Sequence, residues 1–203
     1  MMPCLIISTW YTPRLRCFVS NLVQKVADAS PIPLLIYNFP GVSQGIDLSS
    51  DQLLKMSEHP NIVGVKLTCG NIGKMSRLVP DVDREDFAIF AGLVDALVPS
   101  IKAGASGAIA GLCNLVPKTV VKAYHLATTP GSDSRELAKI QKLMADADAL
   151  VTKTGVITGT KHALEYFYGY GGCGRRPIQP PSLEFQKLSE GGFKPIVDYE
   201  DSI

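Results

Sequence analysis

The chain has 203 residues, 46% of them hydrophobic and 19% charged, and a formal net charge of +1. That length suits one ordinary domain with a real core, and that composition argues against disorder. The near-even balance of 20 basic and 19 acidic residues gives no electrostatic basis for binding nucleic acid or an acidic membrane surface.

At the start of the chain, the apolar run from Cys4 to Ile7 is too short to span a bilayer, and it lacks the basic flank of a secretion signal. No later stretch approaches roughly 18 apolar residues, so the chain reads as soluble, with no membrane partner. Cys4, Cys17, Cys69, Cys113 and Cys173 are odd in number, scattered and free of any CxxC pair. They are expected to be reduced, as in a cytosol-like compartment. His59, His125 and His162 are far apart and form no HExxH motif, which disfavours a protein-held metal.

Residues 3–8 read as a short strand. Over 16–29, Phe18, Leu22, Val23 and Val26 fall at helical spacing, and Pro31 and Pro33 close that helix. A strand over 34–39 ends at Pro40–Gly41. Asp47 or Ser49 can cap a helix running to about His59, with Leu53, Leu54 and Met56 as its apolar members. A strand over 62–68 and a short helix over 71–80 follow. The strand at 87–92, the helix at 94–104 and the strand at 106–111 continue the alternation. Helices are then expected over 116–128, 134–151 and 155–168. Asp133 and Glu136 are placed as a capping box, with Leu137, Ile140, Leu143 and Met144 on one stripe. Residues 169–181 are a Gly- and Pro-rich turn region.

Short apolar strands alternating with helices imply an α/β fold with a parallel sheet covered on both faces. A doubly wound sheet and a (β/α)8 barrel both fit. No GxGxxG or GxxxxGK[ST] motif occurs, which weakens the common nucleotide-binding versions. Four good strands and one doubtful one are too few to close a barrel of eight.

The strand at 62–68 carries a lysine inside an apolar run. Side chains alternate across a strand, which places Ile62, Gly64, Lys66 and Thr68 on one face and Val63, Val65 and Leu67 on the other. Gly64 would leave room below the lysine. In the preceding strand, Leu35 and Tyr37 share a face. The 29 residues from Tyr37 to Lys66 fit one strand–helix–strand unit, which brings both side chains to the same carboxyl-end rim. A desolvated lysine loses part of its preference for the ammonium form. The neutral amine adds to a ketone to give an imine, and a nearby phenol can move the substrate's proton. The competing reading is a lysine that snorkels to solvent beside a core tyrosine.

These stretches also resemble a known family. "IPLLIYNFPG" (32–41) and "GVKLTCGN" (64–71) resemble the tyrosine and imine-lysine strands of the dihydrodipicolinate synthase / N-acetylneuraminate lyase superfamily. "GASGAIAGLCNLVP" (104–117) resembles that family's eighth-strand segment. "KHALEYFYGYGGCGRRPIQP" (161–180) resembles its C-terminal helix and Pro-rich tail, so the likeness covers about 18–185. It implies a (β/α)8 TIM barrel family member with C-terminal helices. The implied activity is a class I aldolase or lyase on a pyruvate-type 2-oxo acid, with no cofactor and a possible homo-oligomer. By resemblance Lys66 forms the imine and Tyr37 relays protons, while Ile109, Gly92 and Thr68 line the substrate. Structurally, Ile109 could equally be a core residue and Gly92 a turn.

The run after Pro40, "GVSQG", lacks the arginine that follows the tyrosine strand in dihydrodipicolinate synthases. The phrases "YNFPG" and "VGVKLTCGN" look closer to 4-hydroxy-2-oxoglutarate aldolase-like and 2-keto-3-deoxy sugar acid aldolase proteins. Taking 34–39 as family strand five makes 62–68, 87–92 and 106–111 strands six to eight, with 4–8 as strand four. Strands one to three, and the second-strand Thr-Thr or Ser-type pair that grips the substrate carboxylate, have no counterpart. The expectation is therefore the C-terminal half of a barrel, about strands 4 or 5 to 8. It would comprise an atypical segment at 1–30, a partial barrel at 31–128 and a helical extension at 129–203. An inactive truncated family member and a binding or regulatory partner of another chain stay open as readings, as do cytoplasmic and mitochondrial settings. Inward residues such as Leu35 and Ile62 are expected to lose packing partners.

Overall fold

The computed structural model describes residues 4–7, 13–83 and 85–203, with side chains from Val19 onward. Pro3 and Ser8 of the first expected strand lie outside the described residues, as do the side chains of Cys4, Cys17 and Phe18. The described residues form two compact units. One comprises the chain up to Gly92 with Pro99–Ala108, and the other comprises Leu93–Val98 with Ile109–Ile203.

The first unit is a parallel sheet flanked by helices. Its strands β1 (Cys4–Ile7), β2 (Leu34–Asn38), β3 (Ile62–Leu67), β4 (Ala88–Ala91) and β5 (Gly107–Ala108) pair in sequence order. This is the parallel α/β sheet that the alternating elements imply, and it is consistent with a partial (β/α)8 barrel. Helices α1 (Pro13–Ala29), α2 (Ser50–Ser57) and α3 (Ile72–Leu78) connect the early strands. Ser49, not Asp47, caps α2, in a full capping box with Gln52. Asn71 caps α3 by accepting the Lys74 N–H at 2.9 Å. Helix α4 (Leu97–Lys102) follows β4.

The core of this unit joins α1, α2 and α3 to one face of the sheet. Val19, Val23 and Ala27 from α1 meet Leu34, Ile36, Val65, Leu67 and Ile89, with Leu53, Met56, Met75 and Leu78 from the next two helices. The buried stripe of α1 thus recurs every fourth residue and differs from the expected one. Val23 is buried as anticipated, while Leu22 and Val26 are exposed.

The strict alternation expected for β3 also fails at one end. Leu34 pairs with Ile62, but Leu35 pairs with Gly64, so Val63 is an extra residue and a bulge forms. The bulge turns Ile62 to the helix side, where it is buried in the core cluster. Leu35 is also buried, at 5% exposure. The expectation that both would lose their packing is therefore corrected. Nor is Gly64 a void. A Cβ there would lie 2.4 Å from the Ala88 carbonyl oxygen and 2.8 Å from Leu35 Cδ1. The missing side chain lets the neighbouring strand and Leu35 close in.

The second unit is helical. Its elements are α5 (Pro117–Thr128), α6 (Ser134–Lys153), α7 (Ile157–Tyr168) and α8 (Leu183–Asp201). Asp133 caps α6 through the Arg135 and Glu136 N–H groups. The capping box is only half made, because Glu136 turns to Lys122 and to the Tyr199 hydroxyl. Helix α8 was not anticipated. Gly191, Gly192 and Pro195 interrupt its helical signal, yet Ser182 caps it and Phe193, Ile196 and Val197 are buried. Gly192 lies against α6, where a Cβ would come 2.4 Å from Leu150 Cδ2. Glu200 of α8 accepts the Lys118 and Thr119 N–H groups and the Thr119 hydroxyl, supplying an anion at the start of α5.

Helix α6 also holds the segment before α4. Asp148 Oδ2 accepts the N–H groups of Val94 (2.6 Å) and Asp95 (3.1 Å). Gln141 accepts from the Val98 N–H and donates to the Val94 and Asp95 carbonyls. Burial holds the Asp148 carboxyl above the usual carboxylate range, against the opposing pull of those two N–H bonds. Its Oδ1 is buried with no hydrogen-bond partner.

Two outcomes follow. Gly64→Ala places a methyl against a backbone carbonyl and is expected to lower stability by about 1–3 kcal/mol in urea unfolding. Gly192→Ala meets only a movable leucine tip and should cost less. For Asp148, the folded state holds its proton more tightly than the unfolded chain. Its contribution therefore favours folding below the unfolded carboxylate value of about 4 and is lost as pH rises through the folded value. Asp148→Asn keeps an oxygen for both N–H groups. The urea midpoint of the wild type is expected to fall relative to that of the variant as pH is raised from about 4 to about 8.

Candidate active site

The carboxyl ends of β2, β3 and β4 carry one row of side chains. Parallel pairing sets Tyr37 opposite Lys66, and Lys66 opposite Phe90. Gly107 of β5 continues the row opposite Phe90. Its missing side chain leaves the Phe90 ring in ordinary contact, 3.8 Å from where a Cβ would sit. Two loop bonds fix the strand exits. The Thr68 N–H donates to the Asn38 carbonyl and the Gly92 N–H to the Leu67 carbonyl, both at 2.9 Å.

Lys66 is half-buried, and its Nζ lies 4.2 Å from the centroid of the Tyr37 ring. The amine thus meets the ring face, a contact worth about 0.5–1 kcal/mol for a cation at an exposed site. The Tyr37 ring also packs against Phe39, with centroids 5.6 Å apart. Thr68 reaches the same rim. Its Oγ1 is buried and has no partner among the described residues. Gly92 is required by that approach, since a Cβ there would lie 1.9 Å from Thr68 Oγ1 and 2.6 Å from Thr68 Cα. Gly92 is thus a close-packing position as well as a turn.

Ile109 follows β5 and belongs to the second unit. It is 41% exposed, so the core reading of this residue is corrected. Cys69 packs against the helix-side core. Arg175 and Arg176 are on the surface. Among the described residues, no group of three or more His, Cys, Asp or Glu side chains could hold a metal ion, and no helix is long and apolar enough to cross a membrane.

Sequence reasoning missed two features. Phe90 stands two residues before Gly92 in "FAIFAG", and strand alternation could have placed it beside Lys66. Lys74 carries no distinguishing mark in the sequence, yet it is 3% exposed and pairs with Asp47. Asp47 also accepts from the Asn38 side chain at 2.7 Å. Helical spacing could have turned Lys74 inward with Met75 and Leu78, but nothing in the sequence names its partner.

The geometry can be set beside known proteins. Residues 1–190 match the model of the dihydrodipicolinate synthetase family. The chain is 43% identical over 177 residues to an Emericella nidulans protein named probable 4-hydroxy-2-oxoglutarate aldolase, mitochondrial. That alignment covers 87% of this chain and 56% of the relative. It is 40% identical over 187 residues to the L-threo-3-deoxy-hexylosonate aldolase of Hypocrea jecorina, covering 88% of this chain and 58% of that one. The chain thus spans a little over half the length of these curated relatives. Among solved structures, a dihydrodipicolinate synthase family protein from Coccidioides immitis superposes with a TM-score of 0.82 at 29% identity, over 98% of this chain and 65% of that one. A dihydrodipicolinate synthase from Bacillus anthracis shares the fold, with a TM-score of 0.86 at 20% identity, over 94% of this chain and 64% of that one. The match over nearly the whole chain, together with the tyrosine and lysine strands it contains, establishes that the chain belongs to the dihydrodipicolinate synthetase family.

Proposed function

We propose that this chain carries the imine-forming half of a class I aldolase or lyase that acts on a 2-oxo acid and releases pyruvate. The observation that carries the reading is the placement of Lys66 Nζ over the Tyr37 ring, at the carboxyl ends of adjacent parallel strands. That is the rim where α/β sheets keep their chemistry. In this reading β2 to β5 are the fifth to eighth strands of a barrel. Residues 31–128 form the partial barrel, 129–203 the helical extension and 1–30 the atypical start.

The chemistry follows from the two side chains. The Lys66 amine adds to the 2-oxo carbon, and loss of water gives a protonated imine. That imine accepts the electron pair when the neighbouring C–C bond breaks, and Tyr37 relays the proton of the departing hydroxyl, giving up its own to solvent as it accepts it while the aldehyde forms. The enamine is then protonated, and water releases pyruvate and the free lysine. The Thr68 hydroxyl and the backbone at Gly92 are the substrate-lining positions on the first unit. No step calls for a bound cofactor.

The name of the Emericella relative favours 4-hydroxy-2-oxoglutarate as substrate. The Hypocrea relative supports a second reading, a 3-deoxy-2-oxo sugar acid. In both, homo-oligomers and a mitochondrial or cytoplasmic setting are the accompanying expectations. The mitochondrial one rests on the relatives' names.

The test is mass spectrometry after incubation with pyruvate and borohydride. Hydride transfer to the imine carbon leaves pyruvate bound to the lysine as a stable secondary amine. The wild type is expected to gain that adduct and Lys66→Ala to lose it. A folded wild-type sample with no adduct would refute the aldolase reading and leave an inactive family member. Tyr37→Phe is expected to retain the adduct while lowering the rate of aldehyde release by about 10²–10⁴-fold, the usual contribution of a general acid–base group.

A further inference from the structure

Behind the Tyr37–Lys66 pair runs a second set of contacts that the proposed chemistry does not use. Asn38 follows Tyr37 on β2, so its side chain enters the opposite face, where it is 2% exposed. Its amide is engaged at both ends. Nδ2 donates to Asp47 Oδ1 at 2.7 Å, and Oδ1 accepts the Leu48 N–H at 3.0 Å. The same Asp47 oxygen receives the Nζ of Lys74, a lysine in α3. The Lys74 N–H is held in turn by Asn71, the cap that joins α3 to the exit of β3. The Thr68 N–H returns the path to the Asn38 carbonyl. The circuit Asn38–Asp47–Lys74–Asn71–Thr68 therefore clamps the ends of β2 and β3 from the helix side.

We propose that Asn38, Asp47 and Lys74 are positioning residues that hold the Tyr37 ring over the Lys66 amine. Tyr37 sits on the last turn of pleat before the chain leaves β2, and its ring is braced only by Phe39 and the Lys66 amine among the described ring contacts. Phe39 belongs to the same exit: its carbonyl accepts the Ser43 hydroxyl and the Val42 and Ser43 N–H groups. Freeing Asn38 lets that exit rotate about the strand, and the ring turns away from the amine. Lys74 is 3% exposed while Asp47 keeps 41% exposure, so opening the pair would strand the lysine's charge away from water, which makes the linkage stiff. The relevance to catalysis rests on the aldolase reading, but the geometry does not.

The experiment is competitive labelling of lysine amines with trace acetic anhydride across a pH series, mapped by mass spectrometry. Exposed Lys55 on α2 serves as the internal reference. Asn38→Ala cuts the circuit at the strand. The double variant Asp47→Leu with Lys74→Met cuts it without leaving a buried charge unpaired, and it answers the question where Asn38→Ala does not fold. In a folded variant the Lys66-to-Lys55 labelling ratio is expected to rise at least about threefold as the ring contact is lost. A merely structural role would lower the melting temperature and leave the ratio at its wild-type value, and that result overturns the proposal. The labelling uses no substrate. A wild type that traps no pyruvate therefore refutes the aldolase reading alone, while the labelling ratio still decides the positioning role.

Discussion

The in-register parallel pairing of β2 with β3 is the constraint on which the rest of the candidate site depends. Side-chain period in a strand is two, so a slip of one residue would send Lys66 to the helix side and Val65 to the rim. The pairing is held at both ends by different means. At the amino end the bulge at Val63 absorbs the mismatch that would otherwise propagate. At the carboxyl end the Thr68 and Gly92 N–H groups bond back to Asn38 and Leu67. The bulge has a second effect. It commits Ile62 to the core, so the rim face of β3 is reduced to Gly64, Lys66 and the approach to Thr68.

Two glycines make that rim possible for steric rather than conformational reasons. Neither Gly64 nor Gly92 has a positive φ. Gly64 admits the Ala88 carbonyl and the Leu35 side chain, and Gly92 admits Thr68. The sheet can therefore bring strand backbones and a buried hydroxyl close together around Lys66 without a gap. In a tightly packed interior such approaches leave no slack for an added methyl. The same logic recurs in the helical unit, where Gly192 lets α8 lie against Leu150.

The alternation of strands and helices was legible because short apolar runs and their breakers are local signals. Ser49, Asn71 and Asp133 cap helices, as their chemistry suggests, and Tyr37 and Lys66 fall on one face as the period of two requires. What was not legible depends on contacts distant in sequence. The stripe of α1 shifts to Val19, Val23 and Ala27 because the sheet selects that face, while Leu22 and Val26 have equal intrinsic apolarity. Helix α8 was hidden because two glycines and a proline weaken local helix preference, and tertiary packing of Phe193, Ile196 and Val197 outweighs them. Glu136 left its half of the capping box for Lys122 and Tyr199, partners 14 and 63 residues away. Asp47 passed over its capping role for the same reason: Asn38 and Lys74 offer it buried partners.

Lysines 66 and 74 show most clearly what a sequence withholds. They stand eight residues apart in the first unit, Lys66 half-buried at the rim and Lys74 on α3. The one that reads as a surface charge, Lys74, is the more deeply buried, and its charge is matched by Asp47. Breaking that pair would leave the Lys74 charge buried without a partner, so the bond to Asp47 ties α3 to the loop after β2. Lys66, by contrast, forms no ion pair among the described residues and faces an aromatic ring. A ring face is a weak partner, in the range of about 1 kcal/mol, so in the proposed reaction the amine leaves it at little cost. The division of labour is set by neighbours. A carboxylate makes one lysine a structural fastener, while the other is left facing a ring alone, as the proposed imine chemistry requires.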